Sequence, residues 1–214
     1  NSFRVNSSFI EFLIMDVEYQ KRLLDTYRDG LLNDTLPFWF PRCVDEDHGG
    51  FLLARDRDGS LLDDDKGMWQ QCRATWLLAT LYNTVESKSD WLIWAKSGLR
   101  FIERYGRDSD GRMWFHVTRD GSPIRKRRYA FTECFGSIAY ASLSKATGDS
   151  ALAGTSRELF SLAKKHFSNP PLTESKFTDT RPVKSIGVPM IKLVTAQELR
   201  LNLSDESFTA DVDD

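Results

Sequence analysis

Apolar positions in the 214-residue chain recur at helical spacing in six long stretches, separated by short intervals rich in turn residues. The first runs from Asp16 to about Trp39 on Val17, Leu23, Leu24, Tyr27, Leu31 and Leu32, with Pro37 and Pro41 bracketing its end. The next covers Lys66–Tyr82, and a third covers Trp91–Tyr105 behind a capping Asp90. A fourth, from Tyr129 to Thr147, is aromatic and carries an acid. Ala151–His166 follows, capped by Thr147-Gly148-Asp149, and Val188–Leu203 has Pro189 in its first turn. Two shorter patterns read as β-hairpins. Phe51–Leu53 and Ser60–Leu62 flank Arg57-Asp58-Gly59, and Met113–Thr118 and Pro123-Ile124 flank Arg119-Asp120-Gly121. Residues 1–14 read as a loose lead-in and Ser168–Ser185 as a loop. Ser204–Asp214 reads as an acidic tail in which Asp205-Glu206 offers one more helix start.

The order repeats. Asp58-Gly59 and Asp120-Gly121 lie 62 positions apart, and the same offset carries Trp69 to Phe131 and Arg73 to Phe135. The unit is a hairpin, an inner helix, a turn and an outer helix. Helix pairs that cannot bury their own faces must stack on neighbours. Long loops confined to one side suit a ring closed with its loops over one mouth. Six such units would need roughly 370 residues, so this chain accounts for a little over half a ring. The expected fold is therefore all-α, a single domain forming part of an α/α toroid, with short β-hairpins at one mouth.

The helix at Lys66–Tyr82 is apolar nearly all round, which predicts burial on more than one side. One face nevertheless carries Trp69, Arg73, Trp76 and Thr80. An arginine buried there needs a carboxylate or a polar ligand. Two readings are open: a core helix whose arginine pairs with a structural carboxylate, or a sugar-binding wall. In the second, flat indoles meet C–H faces and N–H donors meet hydroxyls.

Composition changes the picture little. The net charge of −2 gives no electrostatic case for nucleic acid or an anionic membrane. No apolar run is long enough to span a bilayer. Phe9–Met15 is too short and too poorly flanked for a secretory leader, and the chain opens on Asn rather than Met. The three cysteines, Cys43, Cys72 and Cys134, form no CxxC and read as reduced thiols of a cytoplasmic protein. His48, His116 and His166 show no metal-ligand spacing, so no metal is expected.

Several motifs now stand in order: Asp47-His48-Gly49-Gly50-Phe51, Lys66-Gly67-x-Trp69-x-x-x-Arg73-x-x-Trp76, Thr118-Arg119-Asp120-Gly121, Tyr129-x-Phe131-x-Glu133-x-Phe135, Ala146-Thr147-Gly148-Asp149 and Val188-Pro189-Met190. Together, from about Tyr27 to Phe208, they resemble the N-acylglucosamine 2-epimerase family, also known as renin-binding protein. The resemblance implies an α/α toroid of six helical hairpins. It also implies an isomerase that interconverts N-acetylglucosamine and N-acetylmannosamine by inverting C2 of the open-chain sugar. Such inversion needs a base on one face, an acid on the other, and a positioned cation or donors for the enediolate-type oxygen.

By resemblance, Arg73 takes the stabilising role, and Trp69, Tyr129 and Phe131 line the pocket. Glu133 partners Arg73 or a sugar hydroxyl. The family's two catalytic histidines fall on later inner helices, so the acid/base pair is expected outside this chain and the chain by itself is expected to be inactive. His48 reads as a structural turn residue, His116 as a strand residue, and His166 as a charge at a helix C-terminus. Val188-Pro189-Met190 resembles the N-acylglucosamine branch rather than the cellobiose epimerases. Family resemblance alone suggests nucleotide as an allosteric activator, although no P-loop is present. It also suggests a homodimer and a renin-like protein partner. The alternatives are a non-catalytic partner-binding protein and another sugar epimerase or aldose–ketose isomerase of the same fold.

Overall fold

The computed structural model describes residues 17–126, 129–168, 178, 180, 181, 183 and 185–213. The expected lead-in at 1–14 and most of the Ser168–Ser185 loop lie outside the described residues. The chain divides into two compact units, Asn1–Cys43 and Val44–Asp214.

In the first unit, α1 (Val17–Asp29) passes through a wider π turn (Gly30–Thr35) into α2 (Leu36–Trp39). The helix expected to reach Trp39 does so, with Pro37 in the first turn of α2. Periodicity located this helix without locating a core, because Val17, Leu24 and Tyr27 are all exposed.

The second unit begins with a small sheet, β1 (Ala54–Arg55) against β2 (Leu61–Asp63). It continues through β3 (Lys66–Gly67), α3 (Met68–Thr84), α4 (Ser89–Tyr105), β4 (Trp114–Val117), β5 (Pro123–Lys126), α5 (Phe131–Thr147), α6 (Ser150–Phe167) and α7 (Gly187–Leu203). It ends in a 3-10 turn (Glu206–Phe208) and α8 (Thr209–Asp213). The acidic tail is thus an ordered helical turn, anchored by buried Phe208 against Phe160 with ring centroids 6.0 Å apart. Asp149 caps α6 through Ala151 N at 2.9 Å, as its position predicted. Asp90 instead sits in the first turn of α4, whose N-cap is Lys88.

Helices α3, α5 and α7 lie side by side as an inner row, while α4 packs behind α3 and α6 behind α5. This is an arc of an α/α toroid, and each inner helix is 17 residues long. Helix α5 lies between α3, α6 and α7 and is buried from Thr132 to Ser144 except at Phe135. Its small and hydroxyl residues permit close approach. Ser137 Oγ donates to Ser156 O and Ser156 Oγ donates back to Ser137 O, each at 2.8 Å.

The Asp-Gly turns share one geometry. At 56–60, 108–112 and 118–122 the first amide donates to the last carbonyl and a glycine amide donates back to the first carbonyl. Gly59, Gly111 and Gly121 have φ of +86°, +80° and +96°, a region where L side chains are strained. The inner-helix start differs from the expectation. Lys66 and Gly67 form a strand that pairs with Val117 and His116, and α3 begins only at Met68. The pairing is possible because Gly67 is extended, with ψ at 122°. It ties one repeat's inner helix to the next repeat's hairpin. Among the described residues no helix is long and apolar enough to cross a membrane.

Candidate functional site

Helix α3 is buried on two sides. Met68, Gln71, Cys72, Ala74, Thr75, Leu78, Ala79 and Leu81 all face into the protein. Trp69, Arg73, Trp76 and Thr80 lie on the remaining side, where Arg73 is exposed and the other three are half-buried. The expected buried arginine is therefore not buried, because α4 and α5 take the other faces of the helix. Its guanidinium lies 5.5 Å over the Phe135 ring, and among the described residues it pairs with no carboxylate.

Trp69 is the centre of an aromatic wall. It stacks on Phe131 at 5.8 Å with 17° between planes, meets Phe135 at 5.2 Å, and meets Phe115 of β4 edge-on at 5.9 Å. Tyr129 continues the wall at 6.2 Å from Phe131. Arg125 of β5 lies 5.0 Å over Phe115. The 62-residue repeat has become contact: Trp69 stacks on its counterpart Phe131, and Arg73 covers its counterpart Phe135. Beside the wall is a cavity of about 370 Å³ lined by Leu53, Gln70, Arg73, Ala74, Trp76 and Leu77. Trp76 Nε1 donates to Glu198 Oε2 of α7 at 2.9 Å, so Trp76 ties two inner helices together.

Four of the expected site residues, Trp69, Arg73, Tyr129 and Phe131, belong to this one wall. Glu133 does not pair with Arg73. It is fully buried, and its Oε1 accepts from Arg112 Nε at 2.5 Å and from Met113 N at 3.1 Å. The reason is its place on α5: two residues from both Phe131 and Phe135, it lies on the other side of the helix from the wall, toward Arg112 and Met113. Arg112 also reaches His166 Nδ1 at 3.3 Å. Burial and the neighbouring Arg112 charge both push the His166 imidazole below its ordinary pKa. His116 lines an adjoining cavity of about 190 Å³ with Asp63, Asp65 and Gln70. His48 sits on the Asp45–Gly50 turn, where its amide donates to Asp45 Oδ1 at 3.3 Å, in keeping with a structural turn residue.

Sequence reasoning missed what sets this wall in place. Lys66 is fully buried, and its Nζ donates to Asp45 Oδ2 at 2.7 Å, Gly49 O at 2.7 Å and Arg119 O at 2.9 Å. Arg119 grips Asp45 through Nε at 3.0 Å and Nη2 at 2.8 Å, and also reaches Asp47 Oδ2 at 2.8 Å. Burial alone would raise the Asp45 carboxyl. Hydrogen bonds from Arg119 and Lys66 outweigh it and hold the group well below the usual carboxylate range. Burial pulls the Lys66 ammonium below its ordinary value, partly offset by Asp45. Two motifs that the sequence showed only as separate words, around Asp47-His48-Gly49-Gly50 and Thr118-Arg119-Asp120-Gly121, are thus one ionic clamp at the N-terminal end of α3. Gln71 adds to it by gripping Phe51, accepting from its N at 2.8 Å and donating to its O at 2.7 Å. Cys43, Cys72 and Cys134 are buried, and burial raises the Cys134 thiol to about 12.

A family model for N-acylglucosamine 2-epimerase (GlcNAc 2-epimerase) matches residues 49–194. Human N-acylglucosamine 2-epimerase is 34% identical over 141 residues, which cover 63% of this chain and 33% of its own length. The bovine enzyme of the same name is 29% identical over 192 residues, covering 86% of this chain and 46% of its own. This chain therefore spans less than half the length of either relative. Among solved structures, a cellobiose 2-epimerase from Bacillus thermoamylovorans aligns with a TM-score of 0.78 at 19% identity, over 90% of this chain and 54% of that one. A D-mannose isomerase aligns with a TM-score of 0.74 at 17% identity, over 88% of this chain and 49% of that one. At such identity the structural likeness speaks for the fold alone. The family match runs through every element of the aromatic wall, and the chain belongs to the N-acylglucosamine 2-epimerase family.

Proposed function

We propose that the chain supplies the substrate-facing wall of an amino-sugar 2-epimerase that interconverts N-acetylglucosamine and N-acetylmannosamine. The observation that carries this reading is Arg73, an exposed cation without a carboxylate among the described residues, beside the Trp69–Phe131 stack and a cavity of monosaccharide size. Within the wall, ring faces meet the C–H face of the sugar, and Arg73 faces the oxygen on C1. A base takes the C2 proton of the open-chain sugar, and the electron pair moves onto the C1 oxygen as an enolate. An acid then returns a proton to the opposite face of C2. The arginine stabilises the charge on the C1 oxygen between the two transfers.

The acid and base are assigned to residues outside these 214. His48 serves the turn, His166 is held by Arg112, and His116 lines the neighbouring cavity. The Val188-Pro189-Met190 start of α7 supports the N-acylglucosamine branch over the cellobiose branch.

The test is to incubate the chain in D₂O with N-acetylmannosamine, D-mannose and cellobiose and to follow binding and C2 deuteration by NMR. The expected result is selective binding of N-acetylmannosamine with no deuterium at C2. Deuteration at C2 would place the acid and base within this chain, and preference for cellobiose would move the protein to another branch.

A further inference from the structure

The cavity beside the wall is lined by four apolar side chains, Leu53, Ala74, Trp76 and Leu77, and two polar ones, Arg73 and Gln70. Arg73 is the only charged group among them. Gln70, Arg73, Ala74 and Leu77 follow one another at i, i+3, i+4 and i+7 of α3, so they form one stripe along the helix. Gln70 heads that stripe. It is exposed, and its side chain makes no hydrogen bond among the described residues. Its place is nevertheless defined, because the carboxamide folds back over Gly67. A Cβ on Gly67 would come within 2.1 Å of Gln70 Oε1, so the bare glycine is what leaves the amide room. A donor and an acceptor thus stand together at the rim of an apolar hollow, beside the guanidinium of Arg73. The smaller cavity across Gln70 carries Asp63, Asp65 and His116, which suit hydroxyls rather than an apolar tail.

A sugar hydroxyl gains nothing from Leu53 and Leu77. An acylamino group does. Its N–H and C=O match the acceptor and donor of a carboxamide, and its alkyl end matches the apolar floor. Connectivity brings that group here. With the C1 oxygen at Arg73, the substituent on C2 is one carbon away, and Gln70 and Ala74 are the neighbours of Arg73 along the stripe. We infer that this cavity is the acyl subsite of the amino sugar, and that Gln70 is the residue that selects an acylamino group over a hydroxyl or a free amine. The inference rests on the reading of the wall as an amino-sugar site. A free ammonium on C2 would meet the Arg73 guanidinium with no carboxylate lining the cavity to offset the repulsion. The cavity, at about 370 Å³, also has room for acyl chains longer than acetyl.

The test is a set of titrations of the chain with D-mannose, mannosamine, N-acetylmannosamine, N-propanoylmannosamine and N-butanoylmannosamine. These are repeated with Gln70→Leu, a change at an exposed position. The expected result is that N-acetylmannosamine binds about tenfold more tightly than mannose or mannosamine, and that each added methylene gains about threefold. Gln70→Leu should narrow the advantage of N-acetylmannosamine over mannose about fivefold and leave the gain per methylene in place. Mannose binding as tightly as N-acetylmannosamine would overturn the inference and leave the sugar site standing. An advantage unchanged in Gln70→Leu would also overturn it, as would affinity that falls with each added methylene. No binding of any sugar would overturn both the inference and the reading beneath it.

Discussion

Lys66 shows how far a single residue reaches in this protein. An ammonium with no exposure to water is tolerated only because three acceptors and the Phe101 ring, 4.2 Å away, surround it. Lys66→Met leaves Asp45 without one of its two cationic partners and should destabilise the second unit by about 3–5 kcal/mol, read from denaturant unfolding. A loss under about 1 kcal/mol would mean that the clamp is dispensable. The same clamp sets the acid response. Asp45 has a native pKa below its ordinary value of 3.8, so its contribution is complete above that pH and is lost as pH falls through and below it. Unfolding midpoints measured from pH 5 down to pH 2 should fall less steeply in Asp45→Asn than in the parent chain; equal slopes would contradict the assignment. None of this was legible from the chain alone. Lys66 lies 21 positions from Asp45 and 53 from Arg119, and no local pattern reports a partnership at that range. Glu133 misled for the same reason: its neighbours on α5 belong to the wall, but its own side chain turns to Arg112.

At the scale of elements the sequence was more informative. Helical periodicity found α1, α3, α4, α5, α6 and α7, and the Asp-Gly turns found both hairpins, although the first strand of the first one lies at Ala54–Arg55 rather than at the expected Phe51–Leu53. These are local signals, set by 3.6-residue spacing and by φ > 0 at glycine. What periodicity could not give was the face that a doubly buried helix leaves open. Helix α3 is apolar around most of its circumference, and only its packing against α4 and α5 decides that Trp69 and Arg73 remain on the surface. Close packing of α4 on α3 depends on Gly98. A Cβ there would come within 2.3 Å of Thr75 Oγ1 and 2.5 Å of Phe51 Cε2. Gly98→Ala should therefore cost about 1–3 kcal/mol, despite the better helix propensity of alanine, and thermal unfolding would show it. A stabilised variant would mean that the two helices separate freely at this crossing.

At the scale of the molecule, the repeat is what joins fold to function. The 62-residue offset read from Asp58-Gly59 and Asp120-Gly121 brings equivalent residues of adjacent inner helices into contact, so that Trp69 meets Phe131 and Arg73 meets Phe135. A wall made this way needs at least two repeats and exists only where their inner helices touch. The α/α toroid was legible because a repeat imposes one packing solution on every unit. The chemistry was legible only in part, because the chain spans less than half the length of either curated relative it matches.

Binding of an amino sugar at the Trp69–Arg73 surface is tested by an NMR titration of the Trp69 indole N–H with N-acetylmannosamine. The expected result is a saturable shift at Trp69, with affinity weakened about tenfold or more in Arg73→Ala while the rest of the spectrum stays that of the folded chain. A titration without saturation, or an Arg73→Ala variant that binds as well as the parent, would contradict it.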